Sequence, residues 1–395
     1  MRKRNQYTED VEEYIIKNGV DPFIRYKQED CSDEEKAELE EWLFQCCRKR
    51  NVIPHTILTE QEMDRDIINL SETDSHNVYN GKEYTFNNNG VRTCRYFFSE
   101  EMYNVTKSGH RSVRTNFEDD YHLRTVLRKS LAFGSNELSI NNWLILKGSG
   151  YGVTFRPASA KAIYEIYGKE KDCKVFDSSA GYGARMLGAF AAQNVSEYLG
   201  IDPNTAPTCE KLIKVLDDRY DSNTKKTVLK MGSEDFTIKD FPQYKEYFDL
   251  YFTSPPYYNT EQYSTEPTQS YIKFPTYEEW MKGFYRSTIY NACDVLKKDG
   301  IFIINIFEKT LNVKELTKLF CADKGWYLVK EDEYLLKTIP GNYHKLDENG
   351  NPVLADVTRH SYEPIWVFKH WSRLLEEGLI TEQQAKEFRS REVKA

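Results

Sequence analysis

From about Gly148 onward the chain alternates short apolar runs with stretches of helical period, and this texture is that of a mostly parallel sheet whose crossover helices cover its faces. Five runs are candidate parallel strands: Lys174 to Asp177, Tyr198 to Asp202, Thr227 to Met231, Phe248 to Thr253 and Ile301 to Ile306. Helical stretches follow the first, second and fifth, and a long irregular segment follows the fourth. Trp326 to Val329 and Pro364 to Lys369 stand far enough apart to be a closing antiparallel pair joined by a long loop. The expectation is an α/β fold with a mostly parallel seven-stranded sheet.

The chain before that point reads differently. Ser32-Asp33-Glu34-Glu35 is a capping box ahead of an Ala37, Leu39, Trp42, Leu43 stripe, and Thr59-Glu60-Gln61-Glu62 is another, so a largely helical module is expected. Between Ser71 and Gly90 the chain turns polar, and Asn80-Gly81 and Asn89-Gly90 mark either a boundary or a hairpin. The tail from Ser372 reads as one or two exposed helices with Thr381 to Gln384 as a cap. The expected division is residues 1–147, 148–371 and 372–395.

Composition narrows the function classes. No apolar run approaches the roughly 18 residues that span a bilayer, so no membrane partner is expected. The basic N-terminus runs into Glu9, Asp10, Glu12 and Glu13 instead of an apolar segment, and a cytoplasmic location is expected. Eight cysteines are scattered without C-x-x-C or His-Cys spacing, which favours reduced structural thiols over a zinc site or disulfide framework; no metal is expected. A net charge of −8 argues against a general nucleic-acid coat, because non-specific binding depends on many cations. A local basic face remains open between Arg92 and Lys129, where Arg95, Lys107, Arg111, Arg114, Arg124 and Arg128 mix with Tyr96, Phe97, Phe98, Tyr103 and Phe117. Glu100, Glu101, Asp119 and Asp120 dilute it, so an ordinary solvated surface is equally consistent.

Four strand ends carry the chemistry. Asp177-Ser178-Ser179-Ala180-Gly181-Tyr182-Gly183 follows the first strand and opens a helix, so Gly181 and Gly183 would let the backbone turn tightly and approach a ligand at free N–H groups. Alone, such a turn serves structure as readily as a cofactor. The second strand ends in Asp202-Pro203, where a carboxylate can accept both hydroxyls of a ribose or cap a helix. Glu234, Asp235 and Phe236 after the third strand offer a carboxylate and an aromatic face suited to an adenine, or simply a helix start.

The fourth strand runs into Ser254-Pro255-Pro256-Tyr257-Tyr258, a more specific signal. Consecutive prolines donate no hydrogen bonds, so carbonyls at this tip can point into a cleft as bare acceptors. An exocyclic amino group needs such acceptors, which draw its protons and shift its nitrogen toward sp³. Tyr257 would stack on a base swung out of its helix. The competing reading is a turn whose tyrosine plugs the core.

This order, a Gly-rich turn, an acidic strand end and Ser-Pro-Pro-Tyr, resembles the DNA amino-methyltransferases over about Gly150 to His370. The resemblance implies a Rossmann-like class I methyltransferase fold, S-adenosylmethionine as cofactor, DNA as partner and base flipping. Val153-Thr154-Phe155-Arg156-Pro157 looks like the family's motif that closes over the methionine end of the cofactor, so Thr154, Phe155, Arg156 and Pro157 join Asp177, Ser178, Ala180, Gly181, Gly183, Asp202, Pro203, Glu234, Asp235 and Phe236 as expected cofactor residues. Glu363 to Lys369 looks like the final strand. A Ser at the head of the tetrapeptide is similar to the enzymes acting on N4 of cytosine, whereas Asp or Asn is more usual for N6 of adenine.

Two departures stand out. The family's turn commonly begins Asp-Pro-Phe, not Asp177-Ser178-Ser179, and too little chain follows the last strand to hold a target-recognition region. Specificity elements are therefore expected in the N-terminal module and in Asn259 to Thr276, with Tyr258, Tyr263, Tyr271 and Lys273 as substrate-binding candidates beside Gln269. The segment Tyr271 to Pro275 resembles orphan phage and bacterial methylases. Adenine as target, an RNA amino-methyltransferase, and a non-catalytic nucleic-acid-binding protein of the same fold are the alternatives. Restriction-modification, host mimicry and regulation are all compatible roles, and the oligomeric state is open.

Overall fold

The computed structural model describes residues 5–55, 57–107, 109–133, 150–258, 260–306, 312–346 and 352–392, with the backbone path alone for residues 261, 337–346 and 352–360. Eight strands form one sheet: β1 (Glu83–Tyr84), β3 (Cys173–Asp177), β4 (Val195–Ile201), β5 (Lys225–Leu229), β6 (Phe248–Thr253), β8 (Leu296–Asn305), β9 (Trp326–Leu346) and β10 (Pro352–His370). A separate two-stranded ribbon pairs β2 (Thr106–Lys107) with β7 (Glu261–Gln262).

The strand order is β1-β9-β10-β8-β6-β3-β4-β5. The run β5-β4-β3-β6-β8 is parallel throughout, β10 lies antiparallel between β8 and β9, and β1 pairs parallel with β9. This is the expected Rossmann-like α/β arrangement, with one strand more than the seven expected. The extra strand is contributed by the chain that follows the Asn80-Gly81 turn. Two residues are too short to show a period in sequence. The expected long loop between the last two strands is also corrected, because β9 and β10 extend toward each other as an antiparallel ladder. The extension of β9 was hidden in sequence because Lys330-Glu331-Asp332-Glu333 has none of the apolar alternation that marks a strand.

Strand β3 is followed by chain that builds one side of the sheet through β4 and β5, and β6 begins the other side. The order therefore reverses between β3 and β6, and open α/β sheets bind ligands in the crevice at such a switch point.

Alternate residues segregate to the two faces. Val175, Tyr198, Leu250, Phe252, Ile303 and Val367 join one core, and Phe176, Leu199, Tyr251, Phe302, Ile304 and Phe368 join the other. The first core also takes in Met63, Ile67, Leu70, Phe98, Met102 and Val105, while Tyr7 to Ile53 and Val113 to Leu131 build a separate cluster. The expected boundary at residue 147 lies outside the described residues, yet helices Glu60–Ser71 and Val91–Tyr103 pack directly into the sheet's own core.

The capping boxes at Ser32/Glu35, Thr59/Glu62 and Thr381/Gln384 all form, each satisfying two otherwise orphaned N–H groups. All eight cysteines are free and all but Cys46 are buried. Among the described residues no helix is long and apolar enough to cross a membrane.

Candidate active site

The switch point is occupied by a pocket of about 610 Å³, within the size range of small-molecule and cofactor sites. Thr154, Phe155 and Arg156 line it from one side, Ser178, Ala180 and Gly181 from the Gly-rich turn, Asp202 and Pro203 from the tip of β4, and Glu234 from the tip of β5. Ser254, Pro255, Pro256 and Tyr257 line it from the tip of β6, and Tyr263 from the segment beyond.

Each wall has a local cause. Gly181 adopts φ +56°, a left-handed conformation that glycine takes without Cβ strain, and a Cβ there would make only ordinary contact with the Ser179 carbonyl oxygen at 3.7 Å. Its N–H donates to Asp202 Oδ2 at 3.0 Å, and Asp202 Oδ1 accepts the N–H groups of Asn204 (2.9 Å) and Thr205 (2.8 Å). Burial pushes the Asp202 carboxyl above its usual range, and the three N–H donors oppose that shift. Phe155 is fixed by stacking on Tyr334, ring centroids 4.4 Å apart. The Arg156 guanidinium donates to the carbonyls of Leu335 (2.5 Å) and Leu336 (2.9 Å).

At the tip of β6, no hydrogen bond among the described residues occupies the Ser254 hydroxyl or the carbonyls of Ser254 and Pro255. These are acceptors left open to the pocket. Tyr257 accepts the Thr260 N–H through its carbonyl at 2.9 Å.

Several expected residues sit elsewhere. Asp177 is fully buried: its carboxylate accepts from Arg185 Nε (2.8 Å), the Tyr198 hydroxyl (2.6 Å), the Thr253 hydroxyl (2.8 Å) and the Ser179 N–H (3.1 Å). It binds the strand tips together and does not line the pocket. Gly183 is left-handed (φ +68°) and a Cβ there would lie 2.9 Å from Phe98, so it serves helix packing. Pro157 is the first residue of helix Pro157–Tyr167. Phe236 is buried against Phe176 on the opposite sheet face, centroids 5.1 Å apart.

The substrate candidates divide in the same way. Tyr263 lines the pocket, whereas Tyr258, at φ +32°, donates to the Pro275 carbonyl at 2.6 Å, and Tyr271 donates to the Ser264 carbonyl at 2.7 Å. Lys273 reaches Glu234 Oε1 and the exposed Asp235 Oδ2, both at 2.7 Å. Burial works against its charge, but the two carboxylates outweigh burial and raise its pKa. Lys273 thus pins the segment following β6 to the end of β5. Glu234 folds back where Gly232 leaves room, since a Cβ there would lie 2.6 Å from its carboxylate oxygens.

Sequence reasoning missed Phe86, Asn88 and Val91 from the N-terminal chain, Asn305 at the end of β8, Tyr334 on β9 and Glu363 on β10, all of which line the pocket. Arg95 and Lys107 line it as well, and the basic stretch from Arg92 was the signal that pointed toward them.

The lining fits S-adenosylmethionine: the carboxylates of Asp202 and Glu234 stand at successive strand tips, a side-chain-free approach exists at Gly181, and an aromatic wall stands at Phe155. The model of a family described as DNA methylase matches residues 248–378. No curated protein matches the chain. Among solved structures, a candidate RNA methyltransferase from Pyrococcus horikoshii is 13% identical, covering 54% of this chain and 84% of its own, with a TM-score of 0.33. A candidate methyltransferase from Thermoplasma acidophilum is 12% identical over 56% and 76%, TM-score 0.33. A SAM-dependent O-methyltransferase from Thermotoga maritima is 14% identical over 57% and 69%, TM-score 0.35. Residues 248–378, which begin with β6 and carry the Ser254 to Tyr257 turn and the closing antiparallel strands, are thus similar to the DNA methylase family, whose methyl donor is S-adenosylmethionine.

Proposed function

We propose that the protein methylates the exocyclic amino group of a base in DNA, with N4 of cytosine as the target. The observation that carries this reading is the seating of Ser254, Pro255 and Tyr257 in one pocket with Gly181 and Asp202, with no hydrogen bond among the described residues to the carbonyls of Ser254 and Pro255. Bound S-adenosylmethionine supplies an activated methyl group, so the chain need not supply a strong base.

Its residues bind, orient and exclude water. Gly181, Asp202, Glu234 and Phe155 hold the cofactor side of the pocket. The Ser254 and Pro255 carbonyls accept hydrogen bonds from the amino group, drawing its lone pair out of ring conjugation, and the proton that the methylated nitrogen sheds leaves to solvent. Tyr257 stacks on the extruded base and aims its nitrogen. Most of the acceleration then comes from positioning and fixed dipoles in a dry site. Ser254 in place of an acidic or amide residue supports cytosine.

The test incubates the protein and labelled cofactor separately with duplex DNA and total RNA, followed by digestion and nucleoside identification. Label in DNA as N4-methylcytosine is expected. Label confined to RNA overturns the DNA assignment, and N6-methyladenine overturns cytosine.

A further inference from the structure

The stretch from Arg92 to Lys129 collects cations, and the fold neutralises most of its arginines internally. Arg92 pairs with Glu62 at 3.1 Å, Arg111 with Asp119 at 3.1 Å, Arg124 with Glu41 at 2.6 Å, Arg128 with Glu40 at 3.0 Å, and Arg114 with Glu100. Among the described residues, Arg95 is the arginine of this stretch that makes no ion pair and no hydrogen bond. It is exposed, and it lines the pocket that holds Ser254 to Tyr257.

The other two arginines lining that pocket are committed, Arg156 to the Leu335 and Leu336 carbonyls and Arg185 to Asp177. Asp202, Glu234 and Glu363 line it with negative charge. A polyanion approaching a chain of net charge −8 therefore meets mostly acidic or neutralised surface, and it needs a cation at the mouth. The helix that carries Arg95 is anchored beside the Gly-rich turn. Phe98, one turn further along helix Val91–Tyr103, packs edge-on to Tyr182 of the Gly-rich turn with centroids 6.1 Å apart.

We propose that Arg95 grips a backbone phosphate of the nucleic acid beside the extruded nucleotide. A free guanidinium offers a planar fork that takes a phosphate bidentately, and exposure at the mouth puts it within reach of a macromolecule. The inference rests on the nucleic-acid reading of the pocket.

The test compares wild type, Arg95→Ala, Arg95→Lys and the internally paired control Arg128→Ala. Steady-state methylation is measured on whichever of genomic DNA or total RNA the wild type labels, with binding of a fluorescent strand of that nucleic acid across a salt series and cofactor affinity by calorimetry. Arg95→Ala should raise KM for the nucleic acid roughly tenfold and lower the slope of log affinity against log salt by about 1. Saturating kcat and cofactor affinity should stay at wild-type values. Arg95→Lys should restore the slope but not the full affinity, and Arg128→Ala should change neither.

An unchanged KM and slope in Arg95→Ala overturns the proposal. So does a loss of cofactor affinity with KM unchanged, which would put the guanidinium on the cofactor's carboxylate. A wild type that labels neither DNA nor RNA overturns this proposal together with the proposed function, whereas a labelled nucleic acid with no Arg95 effect overturns this one alone.

Discussion

Asp202 Oδ2 accepts the N–H of Gly181 at 3.0 Å, tying the tip of the second parallel strand to the turn that follows the first. The carboxylate that sequence assigns to a ribose is therefore also a structural clasp, holding three backbone N–H groups while it lines the pocket. Asp202→Ala should accordingly weaken cofactor binding by about 1–3 kcal/mol and lower Tm in the cofactor-free protein as well. Calorimetric titration and thermal melting check the two effects. Unchanged cofactor affinity would remove Asp202 from the site.

The two glycines of the turn should separate by readout. Gly183→Ala places a Cβ against Phe98 in a left-handed conformation and should lower stability by at least about 1–2 kcal/mol. Gly181→Ala bears the same backbone strain without the clash, but its methyl group sits on the pocket wall, so cofactor affinity should fall further than in Gly183→Ala. Equal affinity losses would contradict this division.

Tyr257→Ala should lower methyl transfer while leaving cofactor affinity near wild type, with base stacking contributing about 1–3 kcal/mol. Tyr257→Phe keeps the ring and should retain most of the turnover. A parallel fall in both quantities for Tyr257→Ala would move the ring to the cofactor side.

His370 caps helix Trp371–Glu376 by accepting the Ser372 N–H on Nδ1 at 3.2 Å. Burial pushes its pKa down to about 4, with Lys298 acting in the same direction and the Glu392 carboxylate opposing both. The unfolded chain binds this proton below its ordinary value near 6.5, and the folded chain does not. Stability is then full above that value and falls as pH drops through the window toward 4, by an amount on the order of 3 kcal/mol. Denaturant titrations of wild type and His370→Gln across that range check the assignment, and identical pH slopes would contradict it.

The parallel strands were legible because each is a short apolar run between turn signals, and Phe248 to Thr253 has the same limits in sequence and structure. The Ser254 to Tyr257 turn was legible because two prolines at a strand tip have few structural uses. Asp177 and Phe236 were not, since an acid or aromatic at a strand end looks the same whether it faces the cleft or the interior. Tyr198, Thr253 and Arg185 decide the matter for Asp177, and two of those three are more than twenty residues distant. Arg95 stood in a stretch that sequence singled out, but only the pairing of its neighbours with Glu62, Glu100 and Asp119 distinguishes it.

Methyl transfer to the amino group of a base held at Ser254 to Tyr257 is the reaction proposed for this pocket. Single-molecule sequencing of DNA from cells expressing the wild type or Tyr257→Ala tests it most directly, reporting base, position and recognition sequence together. N4-methylcytosine at a defined sequence in the wild type, reduced or absent in Tyr257→Ala, is the predicted result. Unmodified DNA in both, or a modification that survives Tyr257→Ala undiminished, would contradict the account.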